Sequence, residues 1–155
     1  MTKKYKHILV PLDGSKLAEL ALDDAFSLAQ LTGAKLTLFH VLTPIEHVLA
    51  EDTKHPIFVD QQWESLKVLV QGYLNNVCKR MSCPDVEADT VIKMGYAAVT
   101  IIEYAREQPI DLIVMATHGR SGLRQWVYGS VADKVLRGAN LPVLLVRAHP
   151  EQEAA

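Results

Sequence analysis

Leu112-Ile113-Val114-Met115-Ala116-Thr117-His118-Gly119 runs on through nine further positions into Gly129-Ser130-Val131. The apolar run 112–115 has the length and composition of a buried strand, and an amphipathic segment begins at Ser130. Between them lies a loop bracketed by glycines. A helix N-terminus offers unpaired N–H groups and a partial positive charge to an anion, and glycine beside it lets the main chain approach closely. A phosphate-binding loop between a strand and a helix is therefore the first reading, and it implies an α/β fold.

The rest of the chain keeps that alternation. Strand-length apolar runs at 7–12, 36–41, 86–93, 111–116 and 142–146 alternate with helical patterns at 15–32, about 59–81, about 97–107 and 130–137. Five strands and four helices in this order predict βαβ units and a parallel sheet covered on both faces. Leu17, Leu20, Ala21, Ala25, Leu28 and Leu31 supply the apolar face of the first helix, with Ser15 as a cap and Gly33 just past its end. The third strand alternates apolar and polar positions, as an edge strand does, and Ile102 and Ala105 are expected to face the sheet from the helix after it. The connection over 42–57 contains Pro44 and Pro56 and has no clear period, so it reads as a long link with the length of a lid.

Composition narrows the class. The 155 residues suit one domain, and a chain of that size buries roughly 70% of the surface its unfolded form exposes. Hydrophobic residues make up 49% and charged residues 22%, as in a globular protein, and 16 basic against 18 acidic side chains give no global attraction to nucleic acid or anionic membrane. Any anion site must be local. The apolar run 8–12 after the basic N-terminus is too short for a signal-peptide core, and no stretch approaches the roughly 18 apolar residues of a membrane span, so a cytoplasmic chain is expected. Cys78 and Cys83, with no second Cys/His pair at zinc-finger spacing, read as ordinary thiols.

In open α/β sheets ligands sit at the carboxyl ends of strands where the strand order reverses. Asp13-Gly14 follows the first strand and the segment from His118 to Gly129 follows the fourth. If those strands are neighbours, both loops face one crevice. Ser130 then either caps the last helix, with Asp133 completing a variant of the capping box, or leaves the N–H groups of Ser130 and Val131 to a phosphate. Asp13 either caps the first helix alongside Ser15 or accepts hydrogen bonds from ribose hydroxyls, while Pro11, Val41 and Met115 offer apolar walls to a purine. Gly119 and Gly122 serve a turn on one reading, while His118, Arg120, Ser121 and Arg124 place polar groups beside the helix start on the other. His118 has no partner nucleophile and no metal-site spacing. Neither G-x-x-x-x-G-K-[ST] nor G-x-G-x-x-G is present, which disfavours a P-loop NTPase or a dehydrogenase.

Taken together, Val10-Pro11-Leu12-Asp13-Gly14-Ser15, Asp111-Leu112-Ile113-Val114-Met115, His118-Gly119-Arg120-Ser121-Gly122-Leu123, Gly129-Ser130-Val131-Ala132 and Pro142-Val143-Leu144-Leu145-Val146 resemble the universal stress protein family over about residues 6–147. The resemblance implies a single open, twisted, Rossmann-like domain of the adenine nucleotide alpha hydrolase type, with five parallel strands in order 3-2-1-4-5. It further implies the family's ATP-binding branch, marked by G-x-x-G, nine residues, then G-[ST]. Here the first glycine of that pattern is Ala116, whose added methyl is tolerated unless the position needs positive φ.

Carried over, the resemblance implies that ATP, with Mg2+, lies against Pro11, Leu12, Asp13, Val41, Met115, Ala116, His118, Gly119, Arg120, Gly129, Ser130 and Val131. Asp13 would meet the ribose or base, Val41 and Met115 would flank the adenine, and Gly119, Gly129, Ser130 and Val131 would hold the phosphates. It also implies a homodimer through the last strand at Val143 and Leu145, and a role in stress resistance. A nucleotide-dependent regulatory module is the leading expectation. Slow ATP hydrolysis, helped by Lys16, His118, Arg120 or Arg124, and a nucleotide-free structural dimer are the alternatives.

Overall fold

The structure, a computed structural model, describes residues 4–44, 56–117 and 129–148, with side chains for all of these except 56–60. His118, Gly119 and Arg120, the neighbouring Ser121, Gly122 and Arg124, and most of the expected 42–57 connection lie outside the described residues.

Five strands, β1 (His7–Pro11), β2 (Lys35–Leu42), β3 (Ala88–Met94), β4 (Leu112–Thr117) and β5 (Val143–Arg147), form one sheet in the order β3-β2-β1-β4-β5. Every pairing is parallel. Four helices connect them: α1 (Ala21–Thr32), α2 (Pro56–Arg80), α3 (Ala97–Glu107) and α4 (Ser130–Gly138). The expected elements are all present, with shifted ends. Pro56 opens α2 three residues before the expected start, as suits a residue whose φ is already helical and whose missing N–H has no intrahelical partner to lose. Among the described residues no helix is long and apolar enough to cross a membrane.

Strand alternation builds a core on each face. Ile8, Val10, Leu36, Leu38, Leu112 and Val114 face one side and pack with Leu22 and Phe26 of α1 and Leu74 and Val77 of α2. Leu9, Phe39, Ile113 and Met115 face the other, against Ala98, Ile101 and Ala105 of α3 and Val135 of α4. Ile102 of α3 is half-buried against the same cluster. β1 sits between β2 and β4, and its three middle residues are wholly buried. β3 and β5 are the sheet's edges, and on β5 Val143 and Leu145 pack inward while Leu144 is 37% exposed.

Two glycines set the ends of helices. Gly33 terminates α1 in a left-handed conformation, φ 70°, and donates to the Ala29 carbonyl at 2.8 Å. Gly95, φ 151°, turns the chain from β3 into α3 while its N–H donates to the Leu42 carbonyl at 3.0 Å. A Cβ there would collide with the Thr100 hydroxyl, so glycine is what lets the first turn of α3 lie close to the end of β2.

The opposite, amino-terminal end of the sheet is tied by polar contacts. The Thr37 hydroxyl donates to Asp89 Oδ1 at 2.6 Å, so His7 Nε2, 2.7 Å from the same oxygen, is the donor to Thr37. Lys35 Nζ lies 2.8 Å from Asp89 Oδ2, and the Asp111 carboxylate accepts the Lys6 and His7 N–H groups at 2.8 and 3.1 Å. Burial opposes the charge of Asp89, but hydrogen bonds from Lys35 and Thr37 overcome it and hold the carboxyl below its ordinary range.

Burial also lowers His7 from its ordinary 6.5, against the pull of Asp89, and lowers His40 of β2 in the same way, against the pull of Asp13. Both imidazoles stay neutral in the fold at a pH where the unfolded chain takes up protons. Stability therefore falls as pH drops below 6.5 toward the folded-state values. Urea unfolding midpoints are expected to fall between about pH 7 and about pH 5.5, and His7→Gln and His40→Gln are each expected to flatten the decline. A decline as steep in both variants as in the parent would show that these two groups do not cause it.

Candidate functional site

The strand order reverses at β1. From there the chain builds outward through β2 and β3 on one side and through β4 and β5 on the other. Helices leaving β1 and β4 go to opposite faces, which opens a crevice at the carboxyl ends of these two neighbours. A cavity of about 200 Å³ occupies that crevice.

Its walls come from five places. Pro11, Leu12, Asp13, Ser15, Leu17 and Ala18 come from the end of β1 and the turn after it. Phe39 and Val41 come from β2, Met115, Ala116 and Thr117 from β4, Ala97 and Ile101 from α3, and Gly129, Ser130, Val131 and Ala132 from the start of α4. Of the residues expected at a nucleotide, Pro11, Leu12, Asp13, Val41, Met115, Ala116, Gly129, Ser130 and Val131 thus stand around one space.

The turn after β1 is organised by Asp13. Its Oδ1 accepts the Ser15 N–H at 2.9 Å and the Ser15 hydroxyl at 2.5 Å, and the Ser15 oxygen in turn accepts the Ala18 N–H at 3.1 Å. Such an Asx turn occupies the first residues of the expected helix, so a short 3-10 turn over Ala18–Leu20 precedes α1 and regular helix begins only at Ala21. Asp13 is exposed, and among the described residues only its Oδ1 makes hydrogen bonds. Asp13 therefore serves the local turn with one of its two carboxylate oxygens.

The start of α4 removes one of the two readings of Ser130. Gly129, with φ −49° and ψ 146°, is the N-cap, and Ser130 is the first helical residue and does not cap the helix. Asp133 does not complete a capping box, because its carboxylate is held 3.0 Å from Arg137 Nε. The helix begins with the Asp133 N–H donating to the Gly129 carbonyl at 2.9 Å. The preceding N–H groups, those of Gly129, Ser130, Val131 and Ala132, have no intrahelical acceptor, and no side chain among the described residues caps them. These four residues are the ones that line the cavity.

The electrostatics follow from that count. Among the described lining residues Asp13 carries the only charged side chain, so what those residues offer an anion is main-chain dipoles. Ala116 lies inside β4, paired with Val146, so its backbone is extended and its methyl meets no positive-φ penalty. No group of three or more His, Cys, Asp or Glu side chains that could hold a metal ion exists among the described residues.

The sequence reading did not include Phe39, Ala97, Ile101, Thr117 or Ala132. Phe39 shares its strand face with Val41, and Ala132 follows directly on the quoted Val131, so both were within reach of a period-two or helical count. Ala97 and Ile101 enter only because the Gly95 turn brings α3 over the end of β2, which local sequence does not announce. Thr117 stood in the quoted stretch, but its importance is visible only in three dimensions. It is 4% exposed and its Oγ1 is buried without a hydrogen-bond partner.

The sequence profile of the universal stress protein family matches residues 4–147. A universal stress protein of Bacillus subtilis, YxiE, is 33% identical over 153 residues, spanning 92% of this chain and 99% of its own length. MJ0577 of Methanocaldococcus jannaschii is 26% identical over 158 residues, and a solved structure of MJ0577 superposes with a TM-score of 0.78, covering 95% of this chain and 99% of that one. A universal stress protein solved in complex with cAMP superposes with a TM-score of 0.62 at 25% identity, covering 95% of this chain and all of the other. The fold, the strand order and the crevice at β1 and β4 are thus joined to a sequence match over nearly the whole chain: this protein belongs to the universal stress protein family.

Proposed function

We propose that the protein is an adenine-nucleotide-binding regulatory module, with ATP as its principal ligand. The observation that carries this reading is the start of α4, uncapped among the described residues, whose first four residues line a cavity with apolar walls on its other side. A purine against Pro11, Val41 and Met115 gains affinity from buried area, and Asp13 Oδ2 accepts from a ribose hydroxyl. The phosphates lie over Gly129, Ser130 and Val131, where the helix dipole favours negative charge. At about 200 Å³ the enclosed space is smaller than the roughly 300–1,000 Å³ of pockets that bury a whole drug-sized ligand, which fits a base and sugar held inside and phosphates at the mouth.

His118, Gly119 and Arg120 belong to this site in the same reading, on the strength of the family's phosphate-binding motif. Mg2+ would be held by phosphate oxygens and water, as it commonly is, since Asp13 is the only carboxylate on the described cavity wall. The cAMP complex of a related protein makes a cyclic adenylate the second ligand to try. A regulatory effect requires that nucleotide bind one conformation of the protein better than another. The edge of β5, with Val143 and Leu145 packed inward and Leu144 outward, is the surface through which two copies would pair. Light scattering is expected to read twice the 17.2 kDa chain mass, and a value of one chain mass would remove the dimer.

Thermal unfolding with Mg·ATP tests the ligand reading. At a concentration about 100 times Kd the ligand adds roughly 2.7 kcal/mol, which at this chain length raises Tm by roughly 5–10 °C. Gly129→Asp supplies the missing cap in a backbone conformation that accepts it and puts a carboxylate where the phosphates would lie. The variant is expected to be more stable than the parent without ligand, by roughly 0.5 kcal/mol, and to lose the ATP-dependent rise. An ATP-dependent rise of the same size in this variant would contradict the proposed phosphate position.

A further inference from the structure

We infer that Thr117 contacts the ligand directly, its hydroxyl donating a hydrogen bond to a phosphoryl oxygen held at the start of α4. The inference rests on the nucleotide reading above and deepens it by naming the side chain that completes the anion-binding end of the cavity.

Thr117 closes β4. Strand alternation puts it on the same face as Ile113 and Met115, both of which belong to the core between the sheet, α3 and α4. It lines the cavity together with Gly129, Ser130, Val131 and Ala132, and its main-chain carbonyl is already satisfied by the Ala148 N–H at 3.3 Å. What remains unsatisfied is the side chain. Buried hydroxyls are hydrogen-bonded with few exceptions, and the other buried threonine among the described residues, Thr37, follows the rule through His7 and Asp89. Valine would fill the same volume at Thr117 with no polar atom to satisfy. A hydroxyl shielded from bulk water and unpaired among the described residues finds its partner when an acceptor enters the cavity.

The surroundings determine what that acceptor is. The α4 start presents N–H donors, and Thr117 adds one more donor, so the group that suits all of them at once is an oxygen-rich anion. The β4–β5 register adds charge to this. Thr117 pairs with Arg147, and paired residues of parallel strands point to the same face about 4.8 Å apart. Arg147 is exposed and makes no ion pair with any described residue, so its charge is available to the same end of the site.

Isothermal titration of the full chain with Mg·ATP and, separately, with adenosine tests the assignment on Thr117→Val and Thr117→Ser. Thr117→Val is expected to bind Mg·ATP about tenfold more weakly, the loss of one charge-assisted hydrogen bond, while Thr117→Ser stays within about threefold of the parent. Adenosine, which has no phosphate, is expected to bind all three proteins alike. Without ligand, the Tm of Thr117→Val is expected to equal or exceed that of the parent, because the substitution removes an unpaired buried hydroxyl. A purely structural threonine would instead show a lowered Tm with unchanged affinity. Equal Mg·ATP affinity in the parent and Thr117→Val overturns the Thr117 assignment and leaves the nucleotide reading standing. Failure of the parent to bind either probe overturns both.

Discussion

Everything at the candidate site depends on β1 being paired on both sides. Because β2 and β4 both run parallel to it, the helices that follow β1 and β4 must leave toward opposite faces, and the sheet opens between their carboxyl ends. The burial of Ile8, Leu9 and Val10 holds that central strand in place, since three adjacent apolar residues facing alternate sides tie both core layers to one backbone. The polar network of His7, Thr37, Asp89 and Lys35 lies at the other end of the sheet, so the groups that stabilise the base are kept apart from those that would meet a ligand.

What the crevice offers an anion is main chain. A lysine or arginine in such a position would bring a full charge, a long flexible stem and a large entropy loss on binding. The start of α4 brings several N–H groups already fixed in direction by the helix behind them, so little ordering remains when a ligand arrives. Leaving the helix uncapped has a cost to the free protein: a glycine stands where serine or aspartate would stabilise the fold, and a hydroxyl at Thr117 is buried unpaired. Both deficits lie at the same cavity, and a phosphoryl group bound there would relieve both.

Much of the architecture was legible because a parallel sheet buries its strands on both faces, so that 7–12, 36–41 and 111–116 appear as nearly continuous apolar runs that no surface helix would carry. Gly33 was legible for an equally local reason, a helix ending that needs a left-handed residue. The start of the first helix was not, since Asp13 accepts hydrogen bonds from Ser15, and Ser15 one from Ala18, in a turn that consumes the residues a helical count assigns to the first turn. Whether Ser130 caps the last helix stayed open for a related reason: serine and glycine both suit that position, and only the backbone angles at Gly129 decide between them. At the site, residues on strand ends could be placed once β1 and β4 were neighbours. Ala97, Ile101 and the orphaned hydroxyl of Thr117 depend on how one layer docks on another, information that no local pattern carries.

The central claim is that free main-chain amides at the start of α4 grip the phosphates of an adenine nucleotide. Amide proton and nitrogen shifts followed while Mg·ATP is added to isotope-labelled protein test it most directly. The account predicts that the amide protons of Ser130 and Val131 move downfield by more than those elsewhere in the chain, with adenosine alone leaving them in place. Saturable ATP binding that leaves those two amides unmoved would contradict it.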